Sequence, residues 1–362
     1  MNKGVWRNFD FPLLAATMLL ICIGIAMIYS ATLVFTENYA LRQAIYALGG
    51  LALMLLVAAV DYRLFESLHR FAYVLAIALL AIVLLWGRLS YGAQRWIGLK
   101  FLPFQPAELA KVLVIIALAK YLADHEEEIY RLRHVLISLA SVALPMLLIY
   151  LQPDLGTALV LGAIWLTMAL MAGMRLLHLV LVGLGGALAT PLIWFALEDY
   201  MRERIIVFLD PQRDPLGKAY NINQARIAVG SGGWLGQGFA SGPQSQLCFL
   251  RVRHTDFIFS VIAEELGFLG ALLLFLLLVI VLLRIVRAAS LARDTFGRLI
   301  ACGVAAVILF QGFVNVAVNM GLLPMTGIPL PFISYGGSSL VTLLIAEGLV
   351  QSVVMRHRKI EF

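Results

Sequence analysis

Charge is scarce in this chain: only 13% of its 362 residues are Asp, Glu, Lys or Arg, while 62% are hydrophobic. A soluble domain of that composition would expose too much apolar surface to stay dispersed. Cysteine is scarcer still. Of three, Cys22 and Cys302 fall in apolar runs and Cys248 in a polar loop, which excludes a disulfide framework, and there is no CxxC metal spacing. The net charge of +6 is scattered over loops without any basic block, so nucleic acid is not implied. The N-terminal MNKGVWRNFDF carries charge, but the apolar run after it has no AxA-type cleavage site; a retained first span is expected rather than a signal peptide. The short alternating segments of a barrel are also missing. Apolar runs near bilayer length recur instead, and mean hydropathy is +0.93. The expected fold is an all-α polytopic membrane protein, a single domain over residues 1–362.

About ten spans are predicted, from runs of roughly 17–25 apolar residues. They are Phe11–Leu33, Ala40–Val60, Leu68–Trp86, Pro106–Leu122, His134–Leu151, Leu155–Met174, Leu176–Leu197, Phe257–Val286, Leu299–Leu322 and Tyr335–Met355. Lys and Arg of the short loops collect on one side (Lys3, Arg7, Arg63, Arg70, Arg131, Arg133, Arg175, then Arg284 to Lys359), which predicts cytoplasmic termini. The long loop 198–255, between helices 7 and 8, is then extracytoplasmic. Gly87–Gln105 mixes aromatics with Arg95 and Lys100 and is expected along the interface. Within the long loop, Tyr220–Val229 reads as a short amphipathic helix. The GSGGWLGQG after it reads as a flexible hinge, since it lacks the Walker pattern of a phosphate cradle.

Arg251–Gly267, RVRHTDFIFSVIAEELG, concentrates the chemistry. Asp256 opens a long apolar run behind two arginines and a histidine, where a carboxylate facing a wet cavity could serve as a general base. The competing reading is that Thr255 or Asp256 caps the helix. Continuous helical spacing places Asp256, Ser260, Glu264 and Gly267 on one stripe and Glu265 on the far side. Charges inside spans are costly unless paired or wet. Glu108 and Lys111, three apart, can pair on one face, as an internal lock or as site residues. Asp154 in QPDLGT reads as a cap. Glu264 is expected two turns inside the span below Asp256, tuning it or binding a neighbour's polar group; Glu347 lies mid-run with no partner the sequence can name. Pro324–Ser339, PMTGIPLPFISYGGSS, is too rich in proline and glycine for a helix and must be an outer turn or re-entrant piece. The helix start behind it, at Ser338, would favour an anion such as a diphosphate, or be a plain turn and cap.

Several stretches together resemble the SEDS family of cell-wall polymerases. They are QPAELAK (Gln105–Lys111), QPDLGTA (Gln152–Ala158), DPLGKAYNINQARIAVGSGGWLGQG (Asp214–Gly238), HTDFIFSVIAEELGFLG (His254–Gly270) and NMGLLPMTGIPLPFISYGGSS (Asn319–Ser339). They stand in family order and cover nearly the whole chain. MTGIPLP is closer to the elongation branch than to the division branch, where a TKG-like piece is usual. The loop before His254 departs from the family by lacking a Pro-Glu. The resemblance implies ten spans and a peptidoglycan glycosyltransferase acting on lipid II, a disaccharide-peptide on undecaprenyl diphosphate. It implies that Asp256 is the family's essential aspartate beside an outward-facing cavity. It also implies a class B penicillin-binding protein, a transpeptidase packing its single helix on spans eight and nine.

On this expectation Asp256 deprotonates an acceptor sugar hydroxyl, and the leaving diphosphate is steadied by Arg95, Lys111, Arg251 and Arg253. Glu108, Glu264 and Ser338 support the site. No cofactor is expected beyond an optional divalent cation, Mg or Mn. A lipid II flippase is the alternative, since broken helices and intramembrane charges suit transporters too, but no paired inverted halves are visible. A non-catalytic scaffold for the transpeptidase is the third reading; in it Asp256 would be dispensable.

Overall fold

The computed structural model describes residues 6–357 except 87, 91–92, 100–101 and 215–216, with side chains left undescribed also at 86–103, 193, 196, 211 and 218. Ten long helices run through the described residues: α1 Phe11–Ala31, α2 Tyr39–Ala59, α4 His69–Trp86, α5 Pro106–Asp124, α6 Leu132–Tyr150, α7 Leu155–Met171, α8 Leu176–Ala196, α12 Ile258–Leu291, α13 Thr295–Asn319 and α14 Gly337–Met355. These are the ten expected spans. The short α3 (Tyr62–Ser67) joins α2 to α4. Six of the long helices are apolar and long enough to cross a membrane, and three more are shorter apolar helices. The tenth, α5, carries Glu108, Lys111, Lys120 and Asp124. The chain is a multi-pass membrane protein. An even number of crossings puts both termini on one side, here called the terminal face; the opposite side is the loop face.

Local sequence explains most ends. Asp10 caps α1 by accepting from the Leu13 amide, Asn38 caps α2 from Leu41, and Asp294 caps α13 from Gly297. Pro106 opens α5, where a missing amide costs nothing. α14 lies at the centre, with 83% of its apolar window buried, packed on α2, α5, α12 and α13.

The segment expected along the interface forms a small antiparallel sheet instead, β1 Arg88–Ser90, β2 Ala93–Leu99 and β3 Leu102–Phe104, in the order β1-β2-β3. Alternation in AQRWIGL suits a strand better than a helix face. The long loop carries three further helices: α9 Asp199–Leu209, α10 Lys218–Ser231 and α11 Pro243–Gln246. α10 is the predicted amphipathic helix, packed on α12.

α12 begins within one residue of the expected start of the eighth span. It has 34 residues and a non-helical break at Gly267, where φ is 65°. Its neighbour α1 fixes the level. Arg284 of α12 closes on Asp10 at 2.6 Å, and Glu265 accepts from Ser30 Oγ at 2.6 Å. Asp10 to Ser30 is roughly 30 Å of helix at about 1.5 Å per residue, one hydrocarbon thickness. Glu265 therefore lies level with the loop-face end of α1, about two turns into α12. Residues 320–336 form no helix, as proline and glycine dictate. They dip beside α1, where a Cβ on Gly24 would lie 2.8 Å from Ile333 Cα, so only glycine admits that backbone. Burial of Ile328, Leu330, Phe332 and Ile333 covers the irregular chain with protein, as a re-entrant piece requires.

Candidate functional site

The approach to α12 is held residue by residue through its carbonyls. The His254 carbonyl accepts from the Tyr335 amide at 2.9 Å. That of Thr255 accepts from Ser334 Oγ at 2.7 Å. The Asp256 carbonyl accepts from two asparagine side chains, Asn315 Nδ2 at 3.1 Å and Asn319 Nδ2 at 2.9 Å. These asparagines are one turn apart on α13 and are buried. Asn315 also donates to the Ile328 carbonyl at 2.8 Å, which ties the re-entrant piece to the same point. Asn319 Oδ1 accepts from the Ser260 amide at 3.1 Å and thus caps α12 from a neighbouring helix. The α12 N-cap is Phe257, with no side-chain cap of its own. Asp256 is therefore not spent as a cap. It is partly exposed, and a Cβ built on Gly327 would lie 4.0 Å from its Oδ2. A main chain fixed from three sides leaves that side chain little freedom of aim.

A second polar group lies against the same re-entrant piece. Gln105, before α5, donates its amide to Ser338 Oγ at 3.0 Å and its Nε2 to Asp154 Oδ2 at 3.3 Å. One residue thereby joins the N-termini of α5, α14 and α7. Asp154 caps α7 through the Thr157 amide at 3.2 Å, as expected. Gly156, in the first turn of α7, abuts the Thr326 carbonyl and Ile328. Deeper in α5, Lys111 Nζ meets Glu108 Oε1 at 2.9 Å with both side chains buried. Glu108 Oε2 has no hydrogen-bond partner among the described residues. Converging helix N-termini make this end attractive to an anion. The Gly336 amide, by contrast, is occupied by Gln43 Oε1 at 3.3 Å.

The other expected residues are placed differently. Glu264 accepts the amides of Gln244 at 2.7 Å and Ser245 at 3.0 Å. Glu265 accepts from the Ala240 amide at 3.0 Å and from Ser30, Ser245 and Gln246 side chains. Both carboxylates grip the same loop although they stand about 100° apart on the unbroken helix before Gly267, because residues 240–246 pass across both positions. The break at Gly267 is filled by the glycine-rich loop. The Gln237 and Gly238 amides donate to the Glu264 and Glu265 carbonyls, and the Phe268 amide donates back to Gly233. GSGGWLGQG is thus a docked plug for the helix break, not a free hinge. Arg251 is exposed and lies over the Tyr220 ring at 5.7 Å. Arg253 is 1% exposed, donates to the Ala31 carbonyl at the end of α1, and covers the Phe35 ring at 4.9 Å. A cation at a helix C-terminus is a structural tie. The Arg95 side chain lies outside the described residues. Glu347 is fully buried, and neither oxygen has a hydrogen-bond partner among the described residues.

His254, two residues before Asp256, packs among Phe35, Tyr39 and Tyr335. Burial, reinforced by the charge of Arg253, lowers its pKa to about 4, so it is neutral at physiological pH. Among the described residues no three His, Cys, Asp or Glu side chains gather as a metal-holding group. Asn315, Asn319 and Gln105 were not singled out from sequence. Two asparagines four apart near the end of an apolar run are the signal that could have marked the first pair, since buried amides demand partners.

Fold and site define a polytopic helical membrane protein with an anchored carboxylate at the loop face. Residues 11–359 match the FtsW/RodA/SpoVE family, described as cell cycle proteins. The chain is 38% identical over 366 residues to the peptidoglycan glycosyltransferase MrdB of Escherichia coli (strain K12), covering 99% of this chain and 97% of that one. It is 37% identical over 355 residues to stage V sporulation protein E of Bacillus subtilis (strain 168), covering 95% and 96%. A solved structure described as "Structural coordination of polymerization and crosslinking by a peptidoglycan synthase complex" aligns with TM-score 0.83 and 35% identity, over 96% of this chain and 97% of that chain. The crystal structure of Thermus thermophilus RodA aligns with TM-score 0.74 and 30% identity, over 98% and 99%. The chain belongs to the FtsW/RodA/SpoVE family.

Proposed function

We infer that this chain is a peptidoglycan glycosyltransferase of the RodA branch, extending glycan strands during cell elongation, with Asp256 as its general base. The observation that carries the role of Asp256 is its placement: a partly exposed carboxylate whose main chain is tied to α13 and the re-entrant piece. The substrate is lipid II. Asp256 accepts the proton of the acceptor's GlcNAc 4-hydroxyl, and the freed oxygen pair forms the new bond to the anomeric carbon of the donor. The bond to the diphosphate breaks from the opposite face, with inversion, and its electrons leave with the polyprenyl diphosphate. The buried Lys111 and the N-termini of α5 and α14 steady that charge. Glu108 holds Lys111 in place. The loop face is extracytoplasmic and the membrane is the bacterial inner membrane, as the basic loops of the terminal face support.

A class B penicillin-binding protein is the partner. Its transmembrane helix has a seat along α12 and α13, where Phe275, Leu278, Leu282, Ile308, Gly312 and Phe313 line an apolar groove of about 330 Å³. The test is polymerisation of lipid II by purified detergent-solubilised protein with its transpeptidase. General-base loss in Asp256→Asn should lower product about 10²–10⁴-fold with the fold intact. Near-normal product would remove Asp256 from the mechanism. An unaltered chain that makes no glycan in detergent would favour lipid transport over transfer.

A further inference from the structure

Between α4, α5 and α6 a cleft of about 370 Å³ opens near the terminal face. Tyr73, Val74, Val114, Ala117 and Leu118 line it, with Arg70 and Tyr121 at its mouth and Ser141 at its deep end. Ser141 lies nine residues into α6, which begins at Leu132, or roughly 13 Å at about 1.5 Å per residue. That is about half of a ~30 Å hydrocarbon core, so the cleft is one leaflet deep. The polar groups inside are already satisfied. Tyr73 Oη donates to the Ser141 carbonyl at 2.8 Å, and Ser141 Oγ donates to the Ser138 carbonyl at 2.7 Å. A guest meets apolar wall within and charge only at the mouth.

Most acids around that mouth are paired, and Glu127, in the turn between α5 and α6, is exposed. Glu66 and Asp124 both hold Lys120, at 2.9 and 2.6 Å. Glu128 holds His134 at 2.8 Å and Arg131 at 3.6 Å. Arg70 and Arg133 are exposed, and no acidic partner meets either among the described residues. Arg133 precedes His134, whose Nδ1 lies 3.2 Å from Tyr121 Oη, and its charge acts on that hydroxyl. Two uncompensated guanidinium groups thus flank an apolar cleft of leaflet depth. Guanidinium groups bind phosphate in bidentate fashion, and basic pockets between spans hold anionic headgroups.

We propose that this cleft binds an anionic phospholipid of the leaflet at the terminal face. Its phosphate sits between Arg70 and Arg133, and one acyl chain runs along Val74, Val114 and Leu118. The site is separate from Asp256 and does not depend on the reaction assigned there. α5 carries Glu108 and Lys111 toward its other end, so an occupied cleft braces the helix that holds them.

Native mass spectrometry of the full chain tests this, with phosphatidylglycerol and phosphatidylethanolamine of identical acyl chains as probes. Phosphatidylglycerol adducts should predominate. Arg70→Ala or Arg133→Ala should each cut that preference about fivefold, and together about 25-fold, as about 1 kcal/mol per arginine implies. Ala117→Phe fills the cleft, keeps both charges, and should also lose the adduct. Equal binding of the two lipids, or an unchanged preference in the double arginine variant, overturns the proposal. Adducts that persist in Ala117→Phe overturn the cleft, leaving surface electrostatics only. An unchanged size-exclusion profile checks that each variant is folded.

Discussion

At the terminal face, opposite charges meet directly: Arg284 with Asp10 at 2.6 Å, Arg298 with Glu126 at 2.7 Å, and Arg356 with Asp61 at 3.3 Å. At the loop face Glu37, Asp199 and Glu108 also form ion pairs, within one helix or its approach, while three other acids meet amides and hydroxyls instead. Glu264 and Glu265 take loop groups, and Asp154 takes the first turn of α7. Ion pairs between helix ends make a base whose charges are neutralised. Carboxylates receiving neutral donors hold loops in place. The loop face is therefore built from irregular chain gripped by acids, with one further carboxylate, Asp256, partly exposed.

Substitutions on the two faces should separate along that line. Asp256→Asn should have the largest effect, the loss of about 10²–10⁴ in rate given above, without a change in melting temperature. Glu265→Ala comes next. It strips one carboxylate of several donors and should cost about 3 kcal/mol, read as an earlier thermal transition with proteolysis in residues 232–246. Retained loop protection would show that the clamp is dispensable. Asp10→Ala breaks the corresponding contact of the terminal face. It should cost about 2 kcal/mol, less than a fully buried pair because Arg284 keeps 24% side-chain exposure, and should leave the rate per folded molecule unchanged.

Asn315→Ala joins the two effects on a smaller scale. It removes one donor from Asp256 and one from Ile328, and should lower kcat on the order of tenfold with KM little changed. A fall in stability with kcat intact would make Asn315 structural only. His254 gives the smallest signal. Its pKa is lowered to about 4 from 6.5, so the unfolded chain binds the proton first. The stability it contributes is complete above pH 6.5 and is lost as pH falls toward about 4. Denaturation midpoints of His254→Phe should be flatter across that window than those of the unaltered chain; equal slopes would assign the acid sensitivity elsewhere.

Asp256 stood out because one acid at the head of a long apolar run is conspicuous, but that position alone suited a helix cap as well, and only the structure shows Phe257 there instead. The Glu108–Lys111 pair was legible from spacing alone, and both geometries are present. The shared role of Glu264 and Glu265 was not legible because their partner is a loop about twenty residues away, which a helical wheel does not show. Arg253 read as a free cation beside the site, yet it closes the end of α1, a contact 222 residues away in sequence. Asn315 and Asn319 escaped notice because neutral amides barely perturb a hydropathy profile.

Composition and periodicity alone determined that this chain crosses a membrane about ten times and where most crossings begin. Length and apolarity are local properties, and a bilayer enforces them segment by segment. Only the tertiary structure decided which partners each buried polar group meets. A buried carbonyl, amide or carboxylate is satisfied by whatever neighbour the packing brings. At Asp256 those neighbours come from α13, some sixty residues away.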